Sequence, residues 1–258
     1  MLGARANLFA ARVARCESAW RRSRVALDHM SEVEVYLTGG RTTSGVVRVG
    51  NTVRRPTRAG SSFVHSLLKH LEASEFCGSP RYLGIDGQGR EILSFIPGEV
   101  PAELGGLSLA QVAEGATLLR SFHDATEDCL LRGNREVVCH GDPSPCNTVF
   151  REGRPYAFID FDSACPGERA QDIGYAAWMW LDIGNHEIDA QHQYLGLRAF
   201  MAAYGAVANV EPVAAVLQAQ RRLCDRTDGP AGNREWAIAC LEWTEQNLTA
   251  FADLKHVV

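Results

Sequence analysis

The chain has 258 residues, 46% of them hydrophobic and 22% charged, with a formal net charge of −5 at pH 7. It is long enough for one large domain or for two lobes, two being expected, and its composition is that of an ordinary soluble globular protein. No apolar run approaches the roughly 18 residues that a membrane span requires, and there is no continuous basic stripe of the kind that binds nucleic acid; neither membrane nor nucleic acid is expected as a partner.

Residues 1–29 are rich in Ala and Arg and carry no acid before Glu17. They read as an N-terminal helical extension, or as sequence upstream of a start at Met30, rather than as a targeting segment. From Glu32 "EVEVYL" alternates as a strand, and Gly39, Gly40 and Gly45 punctuate the stretch after it. "GVVRV" and "TVRRP" are two further strands joined by Gly50-Asn51, a pair suited to a two-residue hairpin because both tolerate positive φ. A helix comes next, capped by Ser61 or Ser62, with Phe63, Leu67, Leu68 and Leu71 on one face. "RYLGI" and "EILSFI" are strands separated by "DGQG".

"PGEVP", residues 97–101, reads as a linker, which divides the chain into an extension (1–30), a sheet-rich lobe (31–97) and a larger lobe (98–258). "SLAQ" is a capping box that opens a helix with Val112, Ala116, Leu119 and Phe122 on one face. Later segments near 171–183, 189–204, 211–226 and 233–254 read as helices. The fold class expected is therefore α+β, a small antiparallel sheet lobe followed by a mainly helical lobe.

Chemistry concentrates in "HGDPSPCN" (140–147) and "FIDFD" (158–162). Between them "TVF", "REGRP" and "YAFI" read as strand, turn and returning strand. Symmetric pairing about the tip sets Thr148 opposite Ile159 and Asn147 opposite Asp160. An amide oxygen beside a carboxylate is a hard-oxygen site suited to Mg²⁺, which takes a few such ligands plus phosphate oxygens and water. Asp142 stands just before, on a loop stiffened by Pro143 and Pro145. A carboxylate beside a magnesium-nucleotide can orient a hydroxyl and accept its proton.

These two motifs resemble the catalytic loop and metal-binding segment of the aminoglycoside phosphotransferase family, small-molecule kinases of the protein-kinase-like two-lobed fold. The resemblance runs from residue 31 to about 180. It implies Asp142 as the catalytic aspartate, Asn147 and Asp160 as magnesium ligands, and ATP with Mg²⁺ as cofactors. It makes His140 and Gly141 structural, and Asp172 of "QDIGYAAW" a support for the catalytic loop; on its own Asp172 also reads as a helix N-cap. In the first lobe the family expects a strand lysine on the nucleotide phosphates. "VRRP" offers Arg54, or Arg55 as the alternative, and arginine can bind phosphate bidentately. The lysine's helix glutamate is expected near Val64 or His65, and the only glutamate in the later part of that helix is Glu72. Gly39 and Gly40 are candidates for the phosphate-covering turn. In "LSFIPG" the main chain at Ser94 and Ile96 is the candidate for adenine binding.

Only eleven residues separate Asp160 from Asp172, too few for the segment that docks a polypeptide in a protein kinase. A small-molecule hydroxyl acceptor is expected, such as an aminoglycoside-like or other antibiotic. A metabolite kinase of the choline, sugar or homoserine type, and a nucleotide-binding pseudokinase without turnover, are the alternatives. Residues 1–99 hold 14 basic and 9 acidic side chains and the remainder 12 and 22, an asymmetry that suits a nucleotide on the first part and a cationic acceptor on the second. Asp182, Glu187, Asp225, Asp228, Glu242 and Glu245 are the acids available to attract amines. The eight cysteines form no C-x-x-C pair and read as reduced thiols of a cytoplasmic protein. Zinc at Cys139, His140 and Cys146, or at His186, Glu187, Asp189 and His192, is the less favoured reading beside buried packing and a solvated helix start.

Overall fold

A computed structural model describes residues 33–37, 45–208, 210–227 and 231–251. The N-terminal extension, Gly39, Gly40 and Asp228 lie outside the described residues. The chain divides into two compact units, Met1–Ile96 and Pro97–Val258. Among the described residues no helix is long and apolar enough to cross a membrane.

The first unit is built on an antiparallel sheet of β1 (Glu34–Tyr36), β2 (Val47–Val49), β3 (Thr52–Pro56), β4 (Tyr82–Ile85) and β5 (Arg90–Ser94), in the order β1-β2-β3-β5-β4. Gly50, at φ 56°, closes the β2–β3 hairpin with Val49 opposite Thr52, the two-residue connection that Gly-Asn predicts. Helix α1 (Ser61–Ala73) buries Val64, Leu67, Leu68 and Leu71. Each of the three leucines is wholly inaccessible, and each such burial is worth about 1.5–3 kcal/mol. The expected serine cap is not made: Gly60 is the N-cap, and the Ser61 hydroxyl instead accepts the Arg58 N–H at 2.9 Å. Val64 rather than Phe63 completes the apolar stripe, since Phe63 is only half-buried.

The second unit begins with the 97–101 segment, which is less of a free linker than its prolines suggest, because Glu99 exchanges both backbone hydrogen bonds with Phe150. Helix α2 (Leu109–Thr126) opens with the predicted capping box of Ser108 and Gln111. Its Val112, Ala116, Leu119 and Phe122 are all buried. Strand β6 (Val137–Cys139) pairs with β9 (Cys165–Gly167), and β7 (Thr148–Arg151) forms a hairpin with β8 (Arg154–Phe158). Helices α3 (Arg169–Leu181), α4 (Ala190–Tyr204), α5 (Pro212–Asp225) and α6 (Ala231–Gln246) complete it. The expected 233–254 segment is broken at Asn247, a turn followed by a tighter helical turn over 248–251, and its residues 252–254 lie outside the described residues. Trp178, Trp180, Phe122, Phe158, Phe161 and Phe200 are its largest buried apolar side chains.

Candidate active site

The loop after β6 carries His140, Gly141 and Asp142, and its backbone is gripped by helix α3. Asp172 sits in the first turn of α3, where its Oδ2 accepts the His140 N–H at 2.6 Å and its Oδ1 accepts the Gly141 N–H at 3.0 Å. The N-cap of α3 is Glu168, so Asp172 supports the loop and does not cap the helix. His123 of α2 reaches the same Oδ2 through Nε2 at 3.1 Å, and its Nδ1 meets the Tyr204 hydroxyl at 2.6 Å. Burial raises the Asp172 pKa, but the hydrogen bond and charge of His123, with the Gly141 N–H, hold it below the usual carboxylate value. Farther along α3, Trp180 Nε1 donates to the Pro143 carbonyl at 2.8 Å.

His140 is fully buried against Phe122, Phe158 and Phe161. Its Nδ1 accepts the Asp142 N–H at 3.3 Å and its Nε2 donates to the Ile159 carbonyl at 3.2 Å. That pattern needs one proton, on Nε2, and burial depresses the ring's pKa despite the charges of Asp172, Asp142 and Asp160. Gly141 adopts φ 82°, and a Cβ there would overlap the Ser163 carbonyl oxygen, so the position admits glycine alone.

The β7–β8 register differs from the symmetric reading. Thr148 faces Phe158 and Val149 faces Ala157, with a bulge before Phe150–Pro155. The turn is the two-residue Glu152-Gly153, one residue before the tip that symmetric pairing assumes, and the bulge moves the pairs on the open-end side back to within one residue of that reading. Asn147 therefore meets Ile159, whose N–H donates to the Asn147 carbonyl at 2.9 Å. Asp160 leaves the ladder with φ 61° and ψ 67°, a left-handed conformation that aspartate tolerates better than most residues. Asn147 Nδ2 donates to the Asp142 carbonyl at 3.2 Å, which turns its amide oxygen away from that bond. Asp142 Oδ1 is buried and has no hydrogen-bond partner among the described residues. The Nδ2 bond thus links Asn147 to Asp142, and Asp160 follows Ile159, whose carbonyl meets His140; the cross-strand pair of Asn147 and Asp160 that symmetric pairing predicts is not made.

In the first unit, Arg55 and Arg54 point to opposite faces of β3. Arg55 Nε meets Glu91 Oε1 at 2.6 Å, and Glu91 Oε2 meets His65 Nε2 of α1 at 2.6 Å. Glu91 is buried to 1% exposure, and His65 stacks on Tyr82 at 3.9 Å between ring centroids. The helix position expected to hold a glutamate is thus occupied by His65, and the carboxylate comes from β5. Arg54 lies near Asp86, 3.8 Å from its Oδ2. The Ser94 N–H is committed to the Arg81 carbonyl at 2.9 Å, and Ile96 is the half-buried last residue of the unit.

Among the described residues the acids named for the second unit do not form one cluster. Asp182 is buried and accepts from Asn185 Nδ2 at 2.8 Å, Glu245 pairs with Arg221, and Glu187, Asp225 and Glu242 are exposed. Neither zinc reading of the sequence assembles. Among the described residues His123, Cys139 and Asp172 lie close enough to share an ion, but Asp172 spends both oxygens on the loop and burial pushes the Cys139 thiol far up. Glu91, Tyr175 and Trp180 were not singled out from the sequence. Only Glu91 left a signal, an acid in step with the apolar Leu93 of its strand.

Residues 107–210 match the family model described as phosphotransferase enzyme family. The trifolitoxin immunity protein of Rhizobium leguminosarum bv. trifolii is 37% identical over 171 residues, 60% of this chain and 65% of that protein, so the match spans less than two thirds of the relative. Among solved structures, the macrolide 2'-phosphotransferase of Brachybacterium faecium is 15% identical with a TM-score of 0.51, covering 85% of this chain and 95% of that one. The aminoglycoside phosphotransferase APH(3'')-Id of Streptomyces rimosus, in complex with ADP and streptomycin, is 13% identical with a TM-score of 0.52, covering 85% and 96%. At these identities the structural likeness establishes the fold, which is protein-kinase-like and α+β.

Proposed function

We propose that this chain, whose residues 107–210 match the phosphotransferase enzyme family model, transfers the γ-phosphate of ATP to a hydroxyl of a small molecule. One observation carries the reading: Asp142 keeps a buried carboxylate oxygen without a partner while the loop around it is fixed by hydrogen bonds to Asp172 and Trp180. A buried oxygen left unpaired is costly unless something arrives to use it. An alcohol whose proton passes to Asp142 would attack the γ-phosphorus, with the nucleoside diphosphate leaving; positioning and charge stabilisation supply most of the catalysis.

The donor set fits a magnesium ion. Asn147 offers an amide oxygen turned away from its Nδ2 bond, and Asp160 a carboxylate, both hard oxygens. When bound, the ion neutralises charge on the phosphates. Of the two arginines, Arg55 is our choice for the phosphates, because Glu91 fixes its guanidinium and His65 fixes Glu91. We assign adenine to the main chain at Ile96, and keep Gly39 and Gly40 as candidates for the phosphate-covering turn.

The relative's name, an immunity protein for trifolitoxin, favours a toxin or antibiotic as acceptor over a primary metabolite. The full set Asp142, Asn147 and Asp160 argues against a pseudokinase. The test is a screen of amino sugars, peptide antibiotics, choline, sugars and homoserine with MgATP and with MgGTP, read by mass spectrometry as a gain of one phosphoryl group. A phosphorylated product formed by the wild type and absent with Asp142→Asn is the expected result. Nucleotide binding without product on every acceptor would overturn the reading in favour of a binding module.

A further inference from the structure

The backbone of the 140–143 loop is well held, but none of those bonds holds the Asp142 side chain. The Asp142 N–H goes to His140 Nδ1 and its carbonyl receives Asn147 Nδ2. Oδ1 has no partner among the described residues. A carboxylate on a fixed backbone still has several rotamers, and in-line transfer tolerates few of them.

One group outside the loop meets this carboxylate. Tyr175 lies one turn after Asp172 on α3, with its hydroxyl beside the Asp142 carboxylate; burial and then that neighbouring charge push the phenol well above its usual pKa, which keeps it a proton donor. The ring cannot swing freely. It packs edge-on against Trp178 at 6.1 Å, and Trp178 stacks on Trp236 at 4.7 Å with planes 9° apart. The helix cannot slide either, because Gly174 lies flush on the Ala215 backbone, where a Cβ would overlap the carbonyl.

Helix α3 thus meets the loop at three levels: Asp172 on the amides of His140 and Gly141, Tyr175 on the carboxylate of Asp142, and Trp180 on the carbonyl of Pro143. We propose that Tyr175 is a positioning residue, whose hydroxyl holds one side of the Asp142 carboxylate so that Oδ1 faces the incoming alcohol. The assignment rests on the phosphotransferase reading and adds to it a residue outside both sequence motifs.

Two measurements test it. The first needs no acceptor: protein labelled with ¹³C at tyrosine Cζ is titrated by NMR, the Tyr175 resonance being identified by its loss in Tyr175→Phe. In Asp142→Asn, where the neighbouring charge is gone, this tyrosine should ionise at lower pH than in the wild type; an unchanged titration overturns the proposal. The second is steady-state turnover with MgATP and the acceptor found by the screen, or phosphate release with water as acceptor. Tyr175→Phe should lower kcat about 10- to 100-fold with the KM for ATP unchanged. Tyr175→Gln, which restores a donor, should recover part of the rate. Asp142→Asn inactive with Tyr175→Phe at the wild-type rate would overturn the positioning role and leave the function intact. A wild type without turnover would instead sink the function, and the NMR comparison would still decide the contact.

Discussion

The carboxylate of Asp172 accepts the backbone N–H of His140 at 2.6 Å, tying helix α3 to the loop that carries Asp142. Removing it as Asp172→Ala strands the backbone N–H groups of buried His140 and of Gly141, together with buried His123. The expected loss is about 3–5 kcal/mol of unfolding free energy. Asp172→Asn keeps one acceptor oxygen and should lose less. Urea unfolding at neutral pH checks both.

The same carboxylate gives stability a pH dependence. Its native pKa lies below the ordinary 3.8, so the unfolded state binds its proton first on acidification. The contribution is complete above about pH 5 and vanishes as pH falls through the native value. His123, His140 and Cys139 are the titratable groups around it. Unfolding free energy followed from pH 6 to pH 2 should fall more steeply for the wild type than for Asp172→Asn.

Asp142→Ala should leave the affinity for MgATP within about twofold while lowering transfer by roughly 10²–10⁴, the range for a lost general base. Asp160→Ala should weaken MgATP binding as well, since it removes a proposed ligand of the metal. Calorimetry with MgATP, alongside product formation, separates the two.

Arg55→Ala should weaken ATP binding by roughly 10- to 100-fold, as expected for a charge-assisted contact of about 1.5–3 kcal/mol. Arg54→Ala, on the other face of β3, should change it little. Because Glu91 is 1% exposed, Arg55→Ala also leaves a buried acid without its arginine, and a lower melting temperature should accompany the weaker binding. Equal effects of the two substitutions on binding would return the choice to Arg54.

Gly141→Ala combines a φ of 82° with overlap on Ser163. It should destabilise the protein by at least about 1–3 kcal/mol and lower turnover, because the loop can accept a Cβ only by moving Asp142. Thermal unfolding and kcat check the pair.

By itself the sequence determined what local rules govern. Helical spacing placed α2 and its capping box, the Gly50-Asn51 pair placed the β2–β3 hairpin, and the two motifs near residues 140 and 160 marked the candidate site. Local rules missed by one residue at two places: the β7–β8 turn falls at Glu152-Gly153, one residue before the symmetric tip, and Val64 fills the place given to Phe63. Only tertiary packing decided which atoms meet. Arg54 and Arg55 look alike in sequence, and the register Arg55–Glu91 makes one of them a buried partner. Asp172, Tyr175 and Trp180 acquire a common task because a helix locked against α5 lies beneath the loop. Such relations join residues more than thirty positions apart, and contacts at that separation are set by how whole faces pack, not by the order of neighbours along the chain.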